Sequence, residues 1–503
     1  MLEPGTQAIV RRKCAGWERN LKADGEKLAV RIARELALDI LNQGWPIGHN
    51  LGTEASLLRR LKVSREPFRE AVRILERQGF VRAGRGRNGG LTIQTPALVA
   101  ASNIVRTYLE FIDVSFYEAY PVHQMLLRIG FEWGIARMTP AHANTLRRYV
   151  DGSAHTFRSR DQEGRTLSAV MSAVVEIAAT PCLSMLHAML TRVVADFGHQ
   201  EKYPAKLWAE LSHKMWALVT TMAESAARRD TKSAIAALDE SFSYVNEIIK
   251  GLERRNRRVW NTESFLSGSY SSAILAQRME DKVGIALAYD IIAEIRRNRL
   301  EPGAKLGSEN ELAKRFGVGR STFREAVRTL EFFGVATVQR GSNGGLTVLE
   351  PDPSMVIETA VLYLQYLGLE QTNTDALADW LQVHMAKLIA ARATHQELHQ
   401  LIEEVQALAQ TKPRSQAPRA GQLLHRWCNL ADNRVLALCT EIVWAARSAA
   451  RGSKGSRSKA QADYARTLSA AASGLRVATA GSSEQALAKA LVHVAGGVSA
   501  LLA

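Results

Sequence analysis

SREPFREAVRILERQGFVRAGRGRNGGLTI, residues Ser64 to Ile93, returns as GRSTFREAVRTLEFFGVATVQRGSNGGLTV at Gly319 to Val348. The offset is a constant 255 residues, so Arg65, Arg69, Glu70, Arg73, Leu75, Glu76, Gly79, Arg85, Gly86, Asn88, Gly89 and Gly90 each meet their own residue type in the second stretch. A module repeated this closely is one device used twice.

Its periodicity identifies the device. Phe68, Val72 and Leu75 fall at i, i+4 and i+7, as do Phe323, Val327 and Leu330, which is the buried stripe of a short amphipathic helix. Arg65, Arg69 and Arg73, or Arg320, Arg324 and Arg328, are left for the other face. Upstream, Ser308 with Glu311 three residues later reads as a capping box opening another helix, while Thr53 with Ser56 is the weaker version in the first copy. Short turns, Leu61 to Val63 and Phe316 to Val318, join these helices, and a longer amphipathic helix precedes them at 28–42 and 283–297. Gly79 to Arg82 and Gly334 to Thr337 then open a hairpin with a Gly-rich turn and a β-branched return ending at Pro96 or Pro351. Three helices and a hairpin predict a winged helix-turn-helix.

That device suits DNA. A helix presenting Arg from its first turn can enter the major groove, fork onto guanine and hold phosphates beside it. Arg85 or Arg340 lies next to a glycine in the wing, where backbone can approach the minor groove closely. Charge is concentrated on the same elements: 59–87 carries +7 and 314–342 carries +4, out of +15 for the chain. Such concentration points to a polyanion partner. Gly84 to Gly89 also fits G-x-G-x-x-G, but a dinucleotide loop must follow a strand and open a helix, whereas this run joins two strands after a helix.

The pattern LGSENELAKRFGVGRSTFREAVRTLEFFGVATVQRGSNGGLTV, with its R-G-x-x-G-G-L ending, resembles the DNA-binding domain of the GntR family of bacterial transcription regulators, FadR-type branch. The resemblance implies base and phosphate contacts at Arg320, Ser321, Thr322 and Arg324, with Arg340 and Gly341 in the wing, and at Ser64, Arg65, Arg69, Arg85 and Gly86 in the first copy. Asn310 and Ala55 stand where the family usually has Arg.

The 503 residues suggest three or four domains, and a 46% hydrophobic content suffices for packed cores. After each winged helix come about 150 residues of Ala- and Leu-rich helical spacing. The expected fold is mainly α: two winged helix-turn-helix domains with small β wings, each followed by an all-helical bundle. The boundaries read as an extension 1–26, winged helix 27–96, helical domain 97–250, linker 251–281, winged helix 282–351 and helical domain 352–503. Helical patterns run at 129–138, 167–178, 205–227, 377–392, 397–409 and 423–431. Two stretches, Thr411 to Gly421 and Arg451 to Ala460, read as loops.

Cys14, Cys182, Cys428 and Cys439 form no C-x-x-C pair and read as reduced thiols. Met171 to Leu190 is apolar but carries Glu176 and Pro181, so it predicts two core helices meeting at a turn, not a membrane span. With no apolar signal run near the start, a cytoplasmic location is expected.

The resemblance extends, more weakly, to effector-binding and dimerisation domains in which an Asp and several His hold a divalent metal together with an organic acid. The first such position is Met171, a poor ligand for a hard ion. In the second half His425 sits one residue off, Gly421 replaces the expected acid, and His493 lies near another ligand position. No metal or other cofactor is assigned; His425 and His493 are the nearest candidates. His395 and His399 share a helix face, with Glu403 one turn further, but the glutamines and glutamates around them read as a solvated surface. No H-E-x-x-H, G-x-S-x-G or paired carboxylate motif suggests an enzyme. The expected function is a transcription regulator acting on a double-stranded DNA operator, as a single-chain pseudo-dimer or a homodimer, with a small-molecule effector as a further partner and no membrane. A nucleoid protein binding by charge alone is the alternative, separated from it by sequence discrimination.

Overall fold

The computed structural model describes residues 28–84, 89–151, 160–199, 205–255, 283–339, 344–410, 413–451, 470–479 and 484–502. Along the chain the first winged helix comprises α1 (Leu28–Asn42), α2 (Glu54–Leu61), α3 (Arg65–Arg77), β1 (Val81–Ala83) and β2 (Leu91–Ile93). A helical run follows: α4 (Leu98–Phe111), α5 (Phe116–Ala136), α6 (Pro140–Asp151), α7 (Arg160–Ile177), α8 (Pro181–His199), α9 (Ala205–Ala227) and α10 (Thr231–Arg255). The plan then repeats with α11 (Val283–Arg297), β3 (Lys305–Gly307), α12 (Glu309–Arg315), α13 (Arg320–Phe332), β4 (Ala336–Gln339) and β5 (Gly345–Val348). The last helices are α14 (Ser354–Leu367), α15 (Gln371–Arg392), α16 (His395–Ala409), α17 (Pro413–Leu430), α18 (Arg434–Arg451) and α19 (Glu484–Leu502).

The order is that of the repeat, but the packing is not. Described residues up to Ile104 and from Ile357 onward form one compact unit, and Val105–Val356 form the other. Each winged helix therefore shares a unit with the helical domain of the other half.

In the first unit, α1 packs on α3 through Ile32, Leu36 and Ile40 against Phe68, Ala71 and Leu75, all buried. Thr53 caps α2 by accepting from the Ser56 amide at 3.3 Å. β1 and β2 pair antiparallel from Val81↔Ile93 to Ala83↔Leu91. Asn50 bridges to Thr92 beside them, and a Cβ at Gly90 would fall 2.3 Å from the Asn50 side chain, which a larger residue there would have to displace. The winged helix is seated on α14. Arg34 donates to both oxygens of Glu358 at 3.0 and 2.9 Å, the Gln78 amide donates to the Thr359 hydroxyl at 2.8 Å, and Trp45 packs on Phe80 and Tyr366. In the helical part, α15 packs on α18 and α19, burying Leu377, Leu381, Met385 and Ile389.

In the second unit, α5 packs on α7 and α8, and α9 on α10. Gly130 and Gly134, one turn apart on α5, allow the closest approach: a Cβ would lie 2.6 Å from a Val175 methyl and 2.1 Å from the Val174 carbonyl oxygen. Gly134→Ala should therefore cost about 1 to 3 kcal/mol through overpacking, read as a lowered melting temperature; an unchanged melt would show that α5 and α7 can part cheaply. The second winged helix adds a third strand, in the order β3-β5-β4, and Ser308 and Glu311 form a full capping box on α12. Its seat is the end of α4. The Tyr289 hydroxyl donates to the Glu110 carboxylate, while Arg296 donates to the carbonyls of Glu110 and Phe111 at 2.5 and 2.6 Å and pairs with Asp113 at 3.2 Å. Arg296 so satisfies carbonyls that the helix end leaves without an internal partner. Phe111 packs edge-on against Tyr289 and Phe333.

Two expectations need correction, and one strand was not foreseen. The stretch read as a loop over 411–421 is helical from Pro413, since proline at a first helical position loses no internal bond; 411–412 lie outside the described residues. The helix expected at 129–138 begins at Phe116, behind a Ser115–Glu118 capping box, and continues past Pro121 in its second turn. Strand β3 had no periodicity to announce it, at three residues long. The predicted break at Pro181 is present between α7 and α8. Most of 451–460 and of the expected linker 251–281 lies outside the described residues, although α10 runs through Arg255.

Candidate nucleic-acid interface

Each winged helix presents the start of one helix. Ser64 is the N-cap residue of α3 and Gly319 that of α13, and neither makes a side-chain cap bond. Arg65 and Arg320 are the first helical residues and are exposed, as are Ser64 and Ser321, while Thr322 is half-buried. The orientation follows from the opposite face: Phe68, Ala71 and Leu75, and likewise Phe323, Ala326 and Leu330, are buried and hold the helix by its core side.

Arg69 and Arg324, one turn on, are exposed but not idle. Arg69 Nε donates to Glu54 Oε1 at 3.0 Å and Arg324 Nε to Glu309 Oε1 at 2.7 Å. Glu54 and Glu309 open the preceding helices and stand 255 residues apart, so the same clamp is built twice. A pair this exposed contributes little stability. Its effect is to hold each guanidinium in one place on the outward face, beside the first turn.

A second repeated device fixes the wing. Glu76 at the end of α3 accepts from the Ala83 amide at 2.8 Å, and Glu331 accepts from the Val338 amide at 3.3 Å and the Thr337 hydroxyl at 2.8 Å. These bonds tie strands β1 and β4 to the helices before them. Arg85, Gly86, Arg340 and Gly341, the predicted wing contacts, lie outside the described residues. Sequence reasoning passed over Glu54 and Glu309 as contributors, although their matched positions in the repeat were the available signal.

Residues 28–89 and 286–344 each match the family described as bacterial regulatory proteins, gntR family. The chain carries two GntR-family winged helix-turn-helix domains. An uncharacterised HTH-type transcriptional regulator of Mycobacterium tuberculosis is 27% identical over 140 residues, which are 27% of this chain and 53% of the relative. The chain thus spans about half the length of the curated relative it matches. Among solved structures, a GntR protein of Streptococcus agalactiae is 20% identical over 43% of this chain and 98% of its own, with a TM-score of 0.31. McbR/YncC of E. coli is 16% identical over 45% and 99%, with a TM-score of 0.24.

Outside the GntR-family domains, the two metal candidates each lie beside another polar group. His425 Nδ1 lies 3.0 Å from Glu441 Oε1, and His493 Nδ1 lies 2.9 Å from the Lys489 carbonyl. No group of three metal-ligating side chains occurs among the described residues. His395 and His399 are exposed. Cys182, Cys428 and Cys439 are buried free thiols, and burial pushes Cys182 up to about 12. Among the described residues, no helix is long and apolar enough to cross a membrane.

One buried polar cluster was not foreseen. His123 and His187 stack in the core of the second unit, with ring centroids 5.4 Å apart and planes at 9°. His123 Nε2 lies 3.1 Å from the Thr191 hydroxyl and His187 Nε2 lies 3.1 Å from that of Ser172. Burial holds both histidines below their ordinary value, and the charge of His187 further lowers His123.

Proposed function

We propose that this chain is a sequence-specific DNA-binding transcription regulator whose two unequal winged helices read the halves of an imperfect palindrome from within one polypeptide. The carrying observation is that both copies open a recognition helix on an exposed arginine, Arg65 or Arg320, with a second arginine held beside it by a carboxylate. Arginine in the first helical turn is the residue that forks onto guanine in the major groove, and flanking cations position the helix on phosphates. Covalent linkage supplies the second reader at high effective concentration, which favours one chain per operator.

Enrichment of bound duplexes from a random pool tests this reading. The expected product is two similar, unequal half-sites, with Arg65→Ala relaxing one half and Arg320→Ala the other, each by about 1 to 3 kcal/mol of discrimination. A pool with no preferred sequence would reduce the function to binding by charge. A perfectly symmetric site would mean that the two copies do not read one operator together. Light scattering of the complex gives the stoichiometry: one chain per duplex supports the pseudo-dimer, and two chains place four readers on the DNA.

The paired carboxylates make their own prediction. Glu54→Gln with Glu309→Gln removes two negative charges beside the guanidinium groups and should tighten binding to any duplex a few-fold at fixed salt. Weaker binding, measured by fluorescence anisotropy, would show that holding the arginines matters more than the repulsion.

Control by a small molecule belongs to the same proposal. The seats on α14 and at the end of α4 are the places where a ligand in a helical domain would act, by favouring one seating over another. The helical domains are assigned sensing and assembly, not turnover.

A further inference from the structure

The two readers keep their arginines but differ in what stands next to the first. Arg65 is followed by Glu66 and Pro67, Arg320 by Ser321 and Thr322. Glu66 is exposed in the first turn of α3. With Phe68, Ala71 and Leu75 marking the buried side, Glu66 lies about 180° round the helix from them, on the outward face with Arg69 and Arg73. Among the described residues it has no ion-pair partner.

An unpaired carboxylate on a surface that meets a polyanion is repelled by phosphate unless a donor in the groove takes it up. Cytosine is the base that shows the major groove an amino donor without a neighbouring acceptor of its own; the donor of adenine stands beside N7. Arg65, which matches guanine, is adjacent in sequence, so the pair Arg65-Glu66 suits a guanine beside a cytosine.

The first reader also has two exposed cations that the second lacks. Lys62 occupies the turn between α2 and α3 at φ 54°, and Arg82 lies on β1. They belong to the elements immediately before and after the recognition helix. Their counterparts are Gly317 and Thr337, and the Thr337 hydroxyl is turned to Glu331. An extra exposed carboxylate and two of the extra cations, both exposed, are thus found together in one copy and are missing at the matching positions of the other.

We propose that Glu66 reads the amino group of a cytosine next to the guanine taken by Arg65, while Lys62 and Arg82 hold flanking phosphates and offset the repulsion of that carboxylate. This inference rests on the DNA-reading function above and makes Glu66 the residue that distinguishes the half-sites. Ser321 and Thr322, whose hydroxyls both donate and accept, leave the second reader tolerant at the matching position.

The test is enrichment from a random duplex pool with the full-length chain and its E66S, E66Q and K62G/R82T variants. The unaltered chain should select cytosine at one position of one half-site only. E66S should lower that preference about tenfold, and E66Q should move it toward adenine, because an amide donates and accepts together. K62G/R82T should keep the preference, weaken binding to every duplex, and reduce the slope of log affinity against log salt by about 2. Should E66S fail to fold, E66Q, of the same size, carries the test. If both Glu66 variants select the original sequence, or the salt slope does not change, the inference is overturned while DNA reading stands. If the unaltered chain selects no sequence, the function itself falls, and this inference with it.

Discussion

Acidification from pH 7 to pH 4 is expected to destabilise the second unit by about 3 kcal/mol through His187 alone, with His123 adding in the same direction. The His187 imidazole is held down to about 4 by burial, against 6.5 for the free side chain. The folded state therefore binds its proton later than the unfolded chain does. Above pH 6.5 both states are neutral at this site and the stability is fully present. As pH falls below 6.5 the unfolded chain takes up protons that the folded core refuses, and the loss is complete below about 4. The same sign holds for His123, whose depression comes first from burial and then from the neighbouring His187. Hydrogen exchange of α5 and α8 across this range measures it, with His123→Leu/His187→Leu as the control. The difference between the two proteins should grow toward pH 4; parallel profiles would show that the pair admits a proton without cost.

Glu358→Ala is expected to cost about 3 kcal/mol, because it removes the carboxylate that accepts twice from Arg34 in a nearly closed site. The Glu358 side chain is 3% exposed and that of Arg34 13%, and both carboxylate oxygens accept from the guanidinium. The cost comes from removing one member of a desolvated pair more than from the value of the pair, since desolvating two ions consumes most of their attraction. Replacing both, as Arg34→Met with Glu358→Leu, should therefore restore most of the loss. Urea denaturation of the full chain gives both values. Equal losses for the single and double variants would mean that seating the winged helix on α14 depends on the ion pair specifically and not on the burial around it.

Much of each reader was legible in advance. The spacing of Phe68 and Leu75 marked the buried face of α3, although Ala71 and not Val72 is the third buried residue there, and the spacing of α1 and α11 gave the bounds observed. The capping pair Ser308 and Glu311 appears as read, its carboxyl held below the usual range by the Ser308 amide and hydroxyl. These features involve residues within one or two turns of one another, where chain geometry alone brings partners together. The Glu54–Arg69 clamp spans 15 residues and two helices, and only its recurrence in the second copy hinted at it. His123 and His187 were 64 residues apart with no motif between them, so neither could be distinguished from a lone core histidine.

The sequence by itself determined the twofold use of one winged helix, the order of its helices and hairpin, its outward arginines and the family of those two domains, because periodicity, caps and turn residues act locally. Which helical domain each winged helix packs against was decided by tertiary structure alone. Glu358 is the fifth residue of α14, and the fifth residue of α4 is Ser102; Tyr366 and Glu110 share the thirteenth place. Arg34 matches Glu358 across 324 residues, and Tyr289 matches Glu110 across 179. Complementarity of buried polar groups selects those seats. It leaves no trace in any local pattern, since each partner alone reads as an ordinary helical residue.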